Sequence, residues 1–235
     1  MTSQSLIFLA LDTATTGCSV TVRQGDVVLA HDAREMSRGQ AEVLVPMAVE
    51  ALKSAGVAPK DLSAIAVTRG PGAFTGMRIG LATARAYALA LGIPCIGVTT
   101  LEAVAHGIAV DQRQGQIILA AVESKREDIY VQIFDADLMV LCDAVAADGP
   151  ALAALLGQAK TVLAVGDAAG RAAEMLAGYD IEVHMSTASA LPDTRIVAEI
   201  AAERFELDKT APPPEPLYLR PPDAKLPKNA GRARP

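Results

Sequence analysis

Aromatic residues are nearly missing from this chain: Phe, Tyr and Trp make up 3% of 235 residues, and Trp is absent. Single-stranded nucleic acid is commonly held by stacking its bases on aromatic rings, so that platform is excluded as the main device. Cationic excess is missing too, with 21 Lys and Arg against 27 Asp and Glu, a net charge of −6. Phosphate neutralisation supplies most non-specific nucleic-acid affinity, so a basic patch or a partner would have to provide it here. The three histidines, His31, His106 and His184, are isolated and lack HxxxH or HxxE spacing, which removes the usual zinc signatures. The three cysteines, Cys18, Cys95 and Cys142, each sit in a short apolar run far from the others. That pattern fits neither a disulfide framework nor a metal site and reads as buried thiols in a reducing cytoplasm. No apolar run reaches membrane-spanning length, and the N-terminal one has no Lys or Arg before it and stops at Asp12, unlike a secretory signal. There is also no GxSxG elbow and no GxxxxGK[ST] loop.

What is present is apolar mass, 51% of the chain, drawn from Ala, Val, Leu and Ile. Residues 6–11 form a continuous apolar run, too short for a helix, and read as a buried strand. Residues 18–23 alternate, with the polar set facing outward, and residues 27–31 follow after a Gln24-Gly25-Asp26 turn, giving a meander. A helix is expected over 37–55, with Ser37 and Gln40 at capping-box spacing, Pro46 inside and Gly56 just past the end. A strand over 64–68, a helix over 75–91 stopped by Gly92, and a strand over 94–98 complete a βββαβαβ order.

The second half repeats that order. Strands are expected at 117–122, 129–134 and 140–142, a helix at 151–156, a strand at 161–165, a helix at 168–176 and a strand at 181–184. The match is of element order rather than residues. The chain is therefore read as α/β with residues 1–105 as a first lobe and 106–194 as a second. A last helix from residue 195 to 209 packs back on the first lobe. Residues 210–235 are rich in Pro and end with Lys225, Lys228, Arg232 and Arg234. The end of that tail is expected to be disordered, with Leu217-Tyr218-Leu219 tying down its start.

Three segments carry candidate chemistry. Asp12-Thr13-Ala14-Thr15-Thr16 follows the first strand, where an acid, hydroxyls and backbone N–H groups can hold a magnesium phosphate; a polar strand exit with Asp12 bonding nearby backbone is the alternative. Gly166-Asp167-Ala168-Ala169-Gly170 opens a helix in the second half, as a second phosphate or adenosine loop or as an ordinary N-cap. Gly70-Pro71-Gly72 opens the third, and beyond it Gly76, Gly80, Ala84 and Ala88 recur every four residues along one helical face. That face permits close approach of another backbone. With Leu44, Met47 and Met77 it is the expected partner surface.

The segments ALDTATTGCSV, SRGQAEVLVPM, GPGAFTGMRIGLATARAYALALGIPCIGVTTLEA, GDAAG and PLYLR together resemble the TsaB (YeaZ-like) family of tRNA threonylcarbamoyladenosine biosynthesis. The resemblance implies an actin-like (ASKHA) fold of two ribonuclease-H-like lobes. It implies a scaffold subunit that pairs with a TsaD-like catalytic subunit and a TsaE-like ATPase, reaches tRNA through that complex, and forms homodimers when alone. The modified base is the adenosine 3′ to the anticodon in tRNAs that read ANN codons. TsaD-like proteins carry a paired-histidine metal motif resembling VNHLEGH, and Thr100 and Val104 stand where its histidines fall. Thr and Val cannot replace imidazoles as ligands. Actin-like ATPases have a glycine soon after the first acid, and Ala14 stands in its place. The resemblance thus implies no catalytic residue and no metal, with nucleotide held, if at all, near Asp12, Thr13, Gly166 and Asp167 or at the complex interface. An actin-like ATPase or small-molecule kinase, or a peptidase, is the alternative.

Overall fold

The computed structural model describes residues 6–207 and 212–220. The disorder expected of the tail's end falls outside these residues, as does the last helix's extension to 209.

Two five-stranded sheets form the frame. The first runs β3(Val27–Glu35), β2(Gly17–Gln24), β1(Ile7–Asp12), β4(Ala64–Thr68), β5(Cys95–Val98), with β1 antiparallel to β2 and parallel to β4. The second runs β8(Val140–Ala147), β7(Ile129–Phe134), β6(Ile117–Val122), β9(Thr161–Val165), β10(Glu182–Met185) with the same pattern of directions around β6. The two sheets are thus the same topology used twice. The doubled element order is realised as two lobes, in agreement with the actin-like fold that the resemblance implies.

The unbroken apolar run of β1 has a physical cause. Its successive side chains point to opposite faces, and both faces are covered. Leu9 and Leu11 face α1(Gln40–Ser54) and α2(Phe74–Leu91), while Phe8 and Ala10 face α7(Thr194–Leu207). The second sheet divides the same way. Leu119 and Ala121 pack toward α5(Gly149–Leu156) and α6(Ala169–Leu176), and Ile118, Ala120 and Val122 pack toward α3(Thr100–His106).

The covering helices are exchanged. α3 follows the first sheet in sequence but lies on the second, beside β6 and β7. α7 follows the second sheet but lies on the first, against β1, β2, β4 and β5. The two helices also touch each other, and Arg204 of α7 binds both the Gly97 carbonyl and the Glu102 carboxylate of α3. Neither α3 nor the short α4(Val110–Arg113) was expected from the sequence pattern.

The start of α1 differs from the capping box read at Ser37. Gly39 is the N-cap at φ 90° and no side chain caps the helix. That left-handed residue breaks helical continuity three residues after Met36, so Ser37 lies in the preceding turn. Gln40 donates back to the Met36 carbonyl at 3.1 Å instead. Pro46 does sit inside α1, on the exposed side, where the carbonyl it leaves unbonded can meet water. Gly56 ends the helix at φ 66°, with Val57 N–H bonded to the Leu52 carbonyl at 3.0 Å. The Leu217 patch is tied down as expected: Leu217 N–H donates to the Arg69 carbonyl at 2.8 Å, and Arg78 donates to the Tyr218 hydroxyl at 2.8 Å.

Arg204→Ala removes the clamp between the exchanged helices. It should cost about 2 kcal/mol of stability, because charged hydrogen bonds and a partly buried ion pair are lost together. A urea unfolding series measures this, and an unchanged midpoint would contradict the clamp.

Candidate functional site

The site is built around the turn that follows β1. Asp12 closes the strand and is 1% exposed. Its Oδ1 accepts from Ala14 N–H at 3.1 Å and from the hydroxyl of Thr68, the last residue of β4. Burial pushes the Asp12 carboxyl up to about 6, against the lowering effect of those bonds.

The next residues are pressed onto α2. Thr13 donates its hydroxyl to the Gly76 carbonyl at 2.7 Å, and Ala73 N–H donates to the Ala14 carbonyl at 2.7 Å. The clearance is so small that any side chain would collide. A Cβ at Gly72 would lie 2.1 Å from Ala14 O, one at Gly76 2.1 Å from Thr13 O, and one at Gly80 2.7 Å from Thr13 Oγ1.

The partner-surface expectation is corrected here. The glycine stripe does accept a closely approaching backbone, but it is the chain's own turn. Leu44, Met47, Gly76, Met77, Gly80, Ala84 and Ala88 are all buried in this chain, in or beside the core between the first sheet and its two helices. Four-residue spacing of small residues signals close packing and does not say against what. The faces of α1 and α2 that remain open carry Val45, Val49, Ala82, Ala86 and Leu89, the last 86% exposed.

The four nucleotide candidates do not converge. Asp12 lines a cleft of about 270 Å³, which neither Gly166 nor Asp167 lines. Thr13 has its hydroxyl turned away to Gly76. Gly166, at φ 106°, is packed so closely on β6 that a Cβ would lie 2.0 Å from the Ala121 carbonyl. Asp167 accepts from Glu123 N–H at 2.8 Å and so braces the β6–β7 hairpin. The donor set that a magnesium nucleotide requires is therefore not assembled by these residues. Thr100 and Val104 are buried on α3, in the layer that covers the second sheet. Among the described residues no three His, Cys, Asp or Glu side chains gather as a metal site. Burial pushes the thiols of Cys18 and Cys95 up to about 11, so neither is a thiolate nucleophile at neutral pH.

Sequence reasoning missed the cleft itself. Its floor comes from β2 and β3 and its other wall from Leu191, Pro192, Asp193 and Arg195. The alternation along β2 implies a polar set facing water, yet Ser19 and Thr21 are buried. Thr21 bonds His31 at 2.9 Å and Thr194 of α7 at 2.7 Å. The signal was present as hydroxyls rather than charges on that face, which is what a covered polar face tolerates.

Comparison with known proteins places this geometry. Residues 33–202 match the family model described as TsaD, tRNA N6-adenosine threonylcarbamoyltransferase, so the chain belongs to that two-lobed family. An uncharacterized protein of Mycobacterium tuberculosis is 37% identical over 220 residues, covering 92% of this chain and 93% of that one. The TsaB protein of Escherichia coli, named for tRNA threonylcarbamoyladenosine biosynthesis, is 38% identical over 122 residues, 52% of each chain. The solved structure of YeaZ from Pseudomonas aeruginosa superposes with a TM-score of 0.73 at 24% identity, covering 91% of this chain and all of that one. Within the family the chain is a TsaB (YeaZ-like) member.

Two outcomes follow from the turn. Gly76→Ala should destabilise by about 3 kcal/mol or prevent folding, because its methyl must displace backbone rather than a flexible side chain; thermal unfolding reports this. Asp12→Asn should stabilise. An acid whose pKa is raised by folding binds its proton more tightly in the native state. Its penalty is absent below about 3.8, grows through the window up to about 6, and is complete above it. At pH 8 the variant should gain about 3 kcal/mol, and at pH 3.5 close to nothing. Equal gains at both pH values would contradict the assignment.

Proposed function

We propose that this chain is a non-catalytic subunit of the machinery that makes threonylcarbamoyladenosine in tRNA. It pairs with a TsaD-like catalytic subunit, and a TsaE-like ATPase joins the pair. The single observation that carries this reading is α3. The positions that hold paired histidines in TsaD-like proteins are Thr100 and Val104 here, and both side chains are buried, Val104 in the core where α3 packs on the second sheet. Cys18, which lines the cleft beside Asp12, has its thiol pushed up by burial, and family membership supplies the pathway. Nucleotide, where the complex uses it, is held at the subunit interface and not by this chain alone. The net charge of −6 agrees with tRNA being reached through the complex.

The outer faces of α1 and α2 are the proposed pairing surface. The helices lie side by side, and Val45, Val49 and Leu89 are exposed large apolar residues on them. A patch of this kind beside a packed core is where a partner, or a second copy of this chain, saves the most water-exposed apolar area.

Co-purification from the native cell followed by mass spectrometry tests the reading, with recovery of a TsaD-like protein as the expected result. Leu89→Glu should weaken that pairing at least tenfold while leaving the unfolding temperature unchanged, since the side chain is already in water. Robust ATP turnover by the isolated chain, abolished by Asp12→Ala, would instead establish the ATPase alternative.

A further inference from the structure

On β1 and β2, Asp12 and Ser19 are direct cross-strand partners, and Ser19 in turn faces Ala33 on β3. Direct partners share a sheet face, with Cβ atoms about 5 Å apart. That face is the one α7 covers farther along, where Ala10 packs in the α7 core and Thr21 bonds Thr194. α7 begins at Thr194, so the row containing Asp12 and Ser19 lies beyond its first turn. The small residues Gly17, Ser19 and Ala33 then leave a hollow, walled on its far side by Leu191 and Pro192.

Two groups in this hollow are unmatched. Ser19 is 5% exposed and its hydroxyl has no hydrogen-bond partner. A buried hydroxyl left so costs free energy that a bound group would recover. Asp12 is bonded by the neutral groups of Ala14 and Thr68, and among the described residues it forms no ion pair. The arginines at the rim are engaged by other acids, Arg34 by Asp32 at 2.7 Å and Arg195 by Asp193 at 2.5 Å. A buried carboxylate without a cation beside an orphan hydroxyl asks for a donor that is both charged and small. The wall asks for something apolar behind it.

We propose that this cleft binds a small primary alkylammonium compound. Its ammonium donates to the Asp12 carboxylate and to the Ser19 hydroxyl oxygen, and its short apolar body lies against Ala33, Leu191 and Pro192. A volume of about 270 Å³ corresponds to roughly nine waters, so the body is a few carbons long. An ammonium supplies three donors, enough for both acceptors, and charge-assisted hydrogen bonds are the stronger kind. The site is independent of the pairing surface on α1 and α2.

The test uses the full chain in phosphate buffer at pH 7.5 and three probes of one shape: n-butylamine, which is an ammonium ion there, n-butanol and butyrate. Calorimetry and ligand-observed NMR should show butylammonium binding at least tenfold tighter than either of the others. Asp12→Asn should abolish that preference. Ser19→Ala should weaken butylammonium by about threefold to tenfold with no loss of folding, because the hydroxyl makes no bond in the free protein. Leu191→Ala should narrow the difference between butylammonium and methylammonium. Circular dichroism accompanies each variant, and Ser19→Ala, which leaves the carboxylate in place, is the independent arm of the test. Equal binding of butanol, tighter binding of butyrate, displacement by potassium chloride at matched ionic strength, or insensitivity to Ser19→Ala would each overturn the proposal.

Discussion

The near-contact between the Thr13–Ala14 turn and helix α2 is the constraint on which the rest of the first lobe depends. Backbone meets backbone across Gly72, Gly76 and Gly80 with room for no side chain. The contact fixes the angle of α2 against β1 and β4, and with it the inward direction of Met77, Leu81 and Ala84. It also fixes the conformation of the turn, since Thr13 and Ala14 each spend a polar group on α2. Asp12 is held at the bottom of this arrangement and cannot swing out toward solvent. A carboxylate is thereby kept in a place where water would otherwise have taken it.

This constraint bears on what the lobe is able to do. A turn clamped so tightly on a helix is rigid, and rigid turns are good for presenting groups to a ligand. Yet the groups clamped here are the ones a phosphate would have used. The Thr13 hydroxyl faces Gly76, and on the other sheet Gly166 and Asp167 are occupied with Ala121 and the β6–β7 hairpin. In this lobe those polar groups serve internal packing.

Much of the frame was legible in the sequence. β4, β6, β7 and β9 have the bounds that apolar runs and flanking breakers imply. The doubled order of elements emerges as two sheets of one topology. What escaped were features set by something distant in the chain. Ser19 and Thr21 alternate as residues facing water do, and only α7, more than 170 positions on, turns that face into an interior. Gly39 displaced the helix start from Ser37 by adopting a conformation that capping-box spacing does not reveal. The stripe of Gly76, Gly80, Ala84 and Ala88 announced a close contact correctly, but spacing carries no information on whether the neighbour belongs to the same chain. α3 is short and carries Thr and β-branched Val, so its pattern is weak; its capping box of Thr99 and Glu102 is the local signal that marks it.

The exchange of α3 and α7 between the sheets has a consequence for how the chain is made. Synthesis delivers β1, β4 and β5 early, whereas the helix that covers Phe8, Ala10, Ala64, Ala66 and Val98 comes from residues 194–207. Until that segment leaves the ribosome, one whole face of the first sheet stays bare. The second sheet has no such wait, because α3 precedes it and is ready when β6 emerges. The later lobe can therefore close before the earlier one, and the nascent first sheet is the species a chaperone would meet.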